Sequence, residues 1–104
     1  MEIVHEEEKP GRGRFTVGEG TEQAELTYSP AGRGDALVFD HTFVPTSLRG
    51  RGIAEALVER AVAHARETGR KVVPACSYVR ALFERHPERY GDLATEERKP
   101  FGRV

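Results

Sequence analysis

The sequence predicts an α+β fold: a mixed, mostly antiparallel sheet of about five strands with two helices packed on it. Three observations predict it. Apolar residues alternate with polar ones over roughly the first 45 positions, the mark of half-buried strands. From Gly52 the apolar period lengthens to three and four, the stripe of an amphipathic helix. A short apolar run, Lys71 to Ala75, then returns, and strand–helix–strand after a meander implies a right-handed crossover onto the same sheet.

The elements follow in order. Ile3 and His5 alternate with glutamates and suit an edge strand. Phe15 and Val17 alternate with Arg14 and Thr16, and Ala24, Leu26 and Tyr28 with Gln23, Glu25 and Thr27. Gly18-Glu19-Gly20 and Ser29-Pro30-Ala31-Gly32 are turn-forming runs. Leu37, Val38, Phe39, Phe43 and Val44 place apolar groups on both faces, as in a central strand covered on both sides. Asp40, His41 and Thr42 interrupt that run, and polar groups there must find partners or line a site. Ile53, Ala54, Leu57, Val58, Ala61, Val62 and Ala65 form the helical stripe, which Gly69 ends as a C-terminal cap. Ser77 is the expected cap of a second helix, with Val79, Leu82 and Phe83 inward and Pro87 as its stop.

Composition narrows the classes. The chain has 104 residues, enough for one domain, expected over residues 1–95 with a polar tail from 96 to 104. One cysteine excludes an internal disulfide framework and a Cys-rich zinc site. His5, His64 and His86 lack metal-ligand spacing, so no metal is expected. No apolar run approaches the ~18 residues of a membrane span. The glutamate-rich start is neither a signal nor a transit peptide. A cytoplasmic, monomeric protein that engages neither membrane nor nucleic acid is the expectation. Residues 1–48 carry 4 basic and 9 acidic side chains, and residues 49–104 carry 12 and 8. A modestly basic second half suits a small phosphorylated ligand better than a long nucleic acid. Glu6-Glu7-Glu8 reads as a solvated edge, or as a rim attracting a cationic acceptor.

The stretch Val44 to Ala54 is the most informative. Gly50 and Gly52 let backbone approach a ligand, and a helix start offers unpaired N–H groups at the positive end of its dipole. Together these make a phosphate cradle, with Arg49 and Arg51 adding charge beside it. The same composition fits a glycine-rich turn with solvated arginines. It is neither a Walker loop nor a dinucleotide fingerprint.

Arg49-Gly50-Arg51-Gly52-Ile53-Ala54 resembles the Arg/Gln-x-x-Gly-x-Gly/Ala acyl-CoA loop of the Gcn5-related N-acetyltransferases. His41-Thr42-Phe43-Val44-Pro45, Pro74-Ala75-Cys76-Ser77-Tyr78-Val79 and His86-Pro87-Glu88 resemble a minimal, single-domain YjdJ-like branch of that superfamily. The resemblance spans roughly residues 2–93 and implies that fold in truncated form. The two helices after the first strand and the terminal strand pair of full-length members are missing. The usual glutamate base and tyrosine acid are not evident, and Ser77 stands where many branch members have proline.

The resemblance implies that amides from Gly50 to Ala54, flanked by Arg49 and Arg51, hold the pyrophosphate of acetyl-CoA. It implies that Phe43 and Val44 offer backbone groups to the pantetheine arm where strands four and five part, with Ser77 and Tyr78 alongside. Pro74 lacks an N–H and tolerates that parting. Cys76 and His41 are the implied active-site pair, expected to meet at the strand ends. By composition alone His41 is a satisfied core histidine and Cys76 an inert thiol. The function implied is acetyl transfer from acetyl-CoA to a primary amine, either a small molecule or a protein lysine. His41 would take the amine's proton, and Cys76 would protonate the departing thiolate or accept the acetyl group. The alternative is a CoA-binding or protein-interaction module with little turnover.

Overall fold

In the computed structural model, which describes residues 2–96, the chain runs through five strands and three helices. They are β1 (Val4–Lys9), β2 (Arg12–Val17), β3 (Ala24–Ala31), β4 (Ala36–Phe43), α1 (Ile53–Glu67), β5 (Lys71–Pro74), α2 (Ser77–Arg85) and α3 (Pro87–Tyr90). The sheet order is β1-β2-β3-β4-β5. The first four strands pair antiparallel, and β5 joins β4 in parallel through α1, as the meander and crossover require. Of the expected tail, residues 97–104 lie outside the described residues.

The inner face of the sheet carries Phe15, Leu26, Tyr28, Leu37, Phe39 and Val72. Against it α1 sets Leu57, Val58, Ala61, Val62 and Ala65, and α2 sets Val79, Leu82 and Phe83. Each large apolar side chain fully buried there stabilises the fold by about 1.5–3 kcal/mol relative to exposure. The outer face holds only a small cluster, Ala31, Ala36, Val38 and Val73. Helix α1 ends in paired caps: Gly69 N–H donates to Arg66 O (3.1 Å) and Arg70 N–H to Ala65 O (2.8 Å). Gly69 adopts φ 69°, which that turn demands and which glycine adopts without a Cβ clash.

Two features depart from the sequence expectation. A third helix follows α2, because Pro87 stops one helix and starts the next: its fixed φ suits a first helical position. Tyr90 on that helix is 2% exposed and stacks on Phe83 with ring centroids 4.4 Å apart. Leu93 joins the same core, and Val72 exchanges backbone bonds with Leu93 (2.9 Å) and Thr95 (2.8 Å), so residues 89–95 pack onto the domain.

The second departure is a β-bulge. Tyr28 stands opposite Phe39 and Thr27 opposite His41, so Asp40 is an extra residue in β4. Plain alternation would send Leu37, Phe39 and His41 inward together. The extra residue shifts the phase, and Thr42 follows Phe39 onto the inner face. Asp40 turns outward and accepts hydrogen bonds from Thr27 Oγ1 (2.7 Å) and Ser29 Oγ (2.8 Å).

Candidate functional site

The loop between β4 and α1 is built before any ligand is considered. A 3-10 turn, Thr46–Leu48, follows Pro45. Arg49 folds back so that its Nε donates to Val44 O at 3.0 Å, bracing the loop from behind. Ser47 Oγ donates to Glu22 of the neighbouring turn. Gly50 (φ 81°) and Gly52 (φ 72°) take left-handed backbone. A Cβ on either would meet no heavy atom within 4 Å, so both glycines border open space. The first helical bond is Ala56 N–H to Gly52 O (3.1 Å), which leaves the amides of Ile53, Ala54 and Glu55 without intrahelical acceptors. The side chain of Ile53 is buried in the core, so only its backbone is available to the loop. Arg51 is exposed and makes no ion pair among the described residues. The result is an open, donor-rich helix start suited to an anion.

Strands β4 and β5 part beside this loop. Their pairing covers Ala36 to Phe39 against Lys71 to Pro74, and β4 runs on to Phe43 with no strand partner on that side among the described residues. Pro74, lacking an N–H, is the last paired residue. Cys76 N–H then donates to Phe39 O at 3.0 Å, tying the start of α2 to the fork. Tyr78, in the first turn of α2, lines the same groove of about 180 Å³ as Val44, Leu48, Gly50, Gly52 and Ala54. Burial, then the charge of Glu55, pushes the Tyr78 phenol up.

Cys76 itself occupies the N-cap of α2 (φ −72°, ψ 137°), and Ser77 is the first helical residue rather than the cap. Its half-buried Sγ lies 3.3 Å from Thr42 Oγ1. Burial pushes the thiol's pKa up. The Thr42 hydroxyl and the amides of Val79, Tyr78 and Thr42 pull it down further, and the balance lies below the ordinary value.

His41 is where the structure corrects the sequence reading. The bulge turns it to the outer face, where Nε2 lies 3.7 Å from Glu25 Oε2 and the side chain is 55% exposed. Thr42, not His41, stands beside the thiol. Phe43 is also exposed, directly opposite Glu25. Glu25 escapes sequence reasoning, since it looks like the polar half of an ordinary alternation, whereas the sequence marks Thr42 only as one of three polar groups in need of a partner or a site. Only the bulge gives Thr42 its place. Among the described residues, no group of three or more His, Cys, Asp or Glu side chains is placed to hold a metal, and no helix is long and apolar enough to cross a membrane.

Comparison with known proteins agrees with this fold. The NMR solution structure of a GCN5-like candidate N-acetyltransferase from Staphylococcus aureus superposes with a TM-score of 0.68 at 26% identity. The match covers 88% of this chain and 87% of that one. Residues 14–93 match the family model described as GCN5-related N-acetyl-transferase, a span that runs from within β2 through α3 with the glycine loop and the fork. The chain therefore belongs to the GCN5-related N-acetyltransferase family.

Proposed function

We propose that the protein is an acetyl-CoA-dependent N-acetyltransferase of the minimal YjdJ-like branch, acting on a primary amine. One observation carries the reading: the groove at the open helix start is lined by Val44, the residue after the unpaired end of β4, and by Tyr78, two residues after Cys76. The two glycines bordering open space fit a pyrophosphate against the amides of Gly50 to Ala54. Arg51 adds charge at its rim, and Arg49 acts by holding Val44. Phe43 and Val44 supply backbone groups at the fork, with Ser77 and Tyr78 opposite. Acetyl-CoA, when bound, would supply the activated thioester.

The chain's own groups then divide the proton work. His41 takes a proton from the acceptor amine on the outer face. Cys76 works on the inner face in one of two ways: as a thiol it gives its proton to the departing sulfur, and as a thiolate it takes the acyl group with release of CoA thiolate and is itself released when the amine takes the acyl group from it. Its lowered pKa favours the second. Intact-mass spectrometry after incubation with acetyl-CoA separates them, because only the second leaves an acetyl group on Cys76. The placement of His41 and Cys76 on opposite faces of β4 favours a rival reading, a CoA-binding module without turnover. Calorimetry with CoA and a mass-spectrometric screen of amines test both. Binding with transfer above the buffer rate supports the enzyme, binding without transfer supports the rival, and no heat at millimolar CoA refutes both.

A further inference from the structure

The outer face of the sheet has a row of its own. Val4, Thr16, Glu25 and Phe43 stand directly opposite one another across β1, β2, β3 and β4. Helices α1 and α2 pack on the other face, and Val4 and Phe43 are each 45% exposed. One oxygen of Glu25 lies 3.7 Å from His41 Nε2 and the other 3.7 Å from Arg14 Nη1. Arg14 is engaged more closely by Glu6, at 3.0 Å. Neither contact of Glu25 is within hydrogen-bond distance, so its carboxylate keeps acceptor capacity for something else. Directly opposite residues on a sheet face have Cβ atoms about 4.5–5.5 Å apart, which makes Phe43 and Glu25 side-chain neighbours. A carboxylate next to an exposed aromatic face is suited to an ammonium group: one supplies charge and acceptors, the other a ring quadrupole. From Glu25 a trough of about 470 Å³ runs along the same face, past Thr27 and Asp40 towards Arg12, Glu6 and Glu8.

We propose that Glu25 and Phe43 form an ammonium subsite that delivers a primary alkylammonium acceptor to His41 from the side of the sheet opposite Cys76. The inference rests on the acetyltransferase reading above and adds to it the acceptor's route of approach and the residues that hold it. Glu25 also acts through His41 as a positioning residue. The carboxylate faces the ring edge at Nε2, 3.7 Å away, and so orients the imidazole whose lone pair accepts the proton. In that step one N–H bond of the ammonium breaks, an imidazole N–H bond forms, and the amine nitrogen keeps the electron pair it needs for attack. Glu25 remains a carboxylate throughout. A free alkylamine and a lysine side chain share this chemistry, and the trough beds whatever follows the first carbons.

The test is an NMR titration of the whole chain with n-butylamine, with 1-butanol as neutral control and a doubly blocked lysine amide as the second amine. Wild type, Glu25→Gln and Phe43→Leu are compared, with CoA calorimetry on each. The expected result is saturable shifts at Thr16, Glu25, His41 and Phe43 with the amines and none with butanol. Affinity should fall at least about fivefold in each variant, while the heat of CoA binding is unchanged in Glu25→Gln. In transfer assays Glu25→Gln should raise the KM for amine more than it lowers kcat, and Glu25→Asp should recover part of the loss. Tighter binding of the lysine amide assigns a lysine acceptor; tighter binding of butylamine assigns a free alkylamine. Shifts that are absent, equal with butanol, or undiminished in Glu25→Gln overturn the subsite. Failure of wild type to bind CoA overturns the proposed function instead, and the amine shifts still decide the subsite.

Discussion

Replacing Gly52 by alanine separates backbone strain from ligand exclusion. Gly52 holds φ 72°, and an L-residue there costs about 1–2 kcal/mol. Alanine also restricts the unfolded chain, which returns about 0.4–1 kcal/mol. The added Cβ meets no heavy atom within 4 Å, so no clash enlarges the sum. The net loss is about 1 kcal/mol, a fall of about 4–8 °C in Tm for a domain of this size. Gly34, in the turn between β3 and β4, is a matched control: φ 93° and equally open space around a Cβ. Both variants should lose similar stability in urea titrations. Only Gly52→Ala should lose CoA binding, by about tenfold or more, because its methyl group enters the volume proposed for the phosphates. Ten-fold corresponds to about 1.4 kcal/mol, well within calorimetric resolution. Equal CoA affinity in the two variants would refute the assignment of that space to the ligand.

Three further outcomes follow from named contacts. Thr42→Val removes the hydroxyl beside Cys76, so the thiol pKa should rise and iodoacetamide should alkylate the protein more slowly near neutral pH; an unchanged rate would show that the hydroxyl does not support the thiolate. Tyr90→Ala empties a core position stacked on Phe83 and should cost about 3–5 kcal/mol in a urea unfolding curve, whereas a loose segment would lose almost nothing. Acid should weaken the fold in two stages. Burial, then the charge of His64, holds His5 below its ordinary value of 6.5, so its contribution is full above that pH and lost as pH falls through the folded value. Glu7 is also held low: burial opposes this, but the Gly11 amide, the Tyr28 hydroxyl and both histidines outweigh it, so its share is lost only below its ordinary 4.5. His5→Gln should flatten the upper stage of the urea midpoint against pH, and an undiminished upper stage would exclude His5 as its source.

The strands, the crossover and α1 were legible because burial on one face imposes a period, and the chain obeys it over long runs. The glycine loop was legible because left-handed backbone before a helix leaves a residue-type signature at Gly50 and Gly52. The relation of His41 to Cys76 was not. It depends on one extra residue, Asp40, whose effect on the pleat appears only once Thr27 and Tyr28 are paired across from it. Glu25 was hidden for the same reason, since its neighbours are set by register between β3 and β4. Packing after Pro87 was missed because Tyr90 and Leu93 stand alone among polar residues, too sparse to show a period.

The short parallel pairing of β4 with β5 bears on the order in which the molecule assembles. Pairs from β1 to β4 join neighbouring segments of chain and close with little loop entropy. The last seam must wait for the whole of α1, and only four residue pairs hold it. Contacts so distant in sequence form late and slowly, after the meander has collapsed. In the native ensemble the same seam is a natural place for partial opening. A ligand seated there would act as a staple across the last joint to close, so its concentration would set how often that joint comes apart.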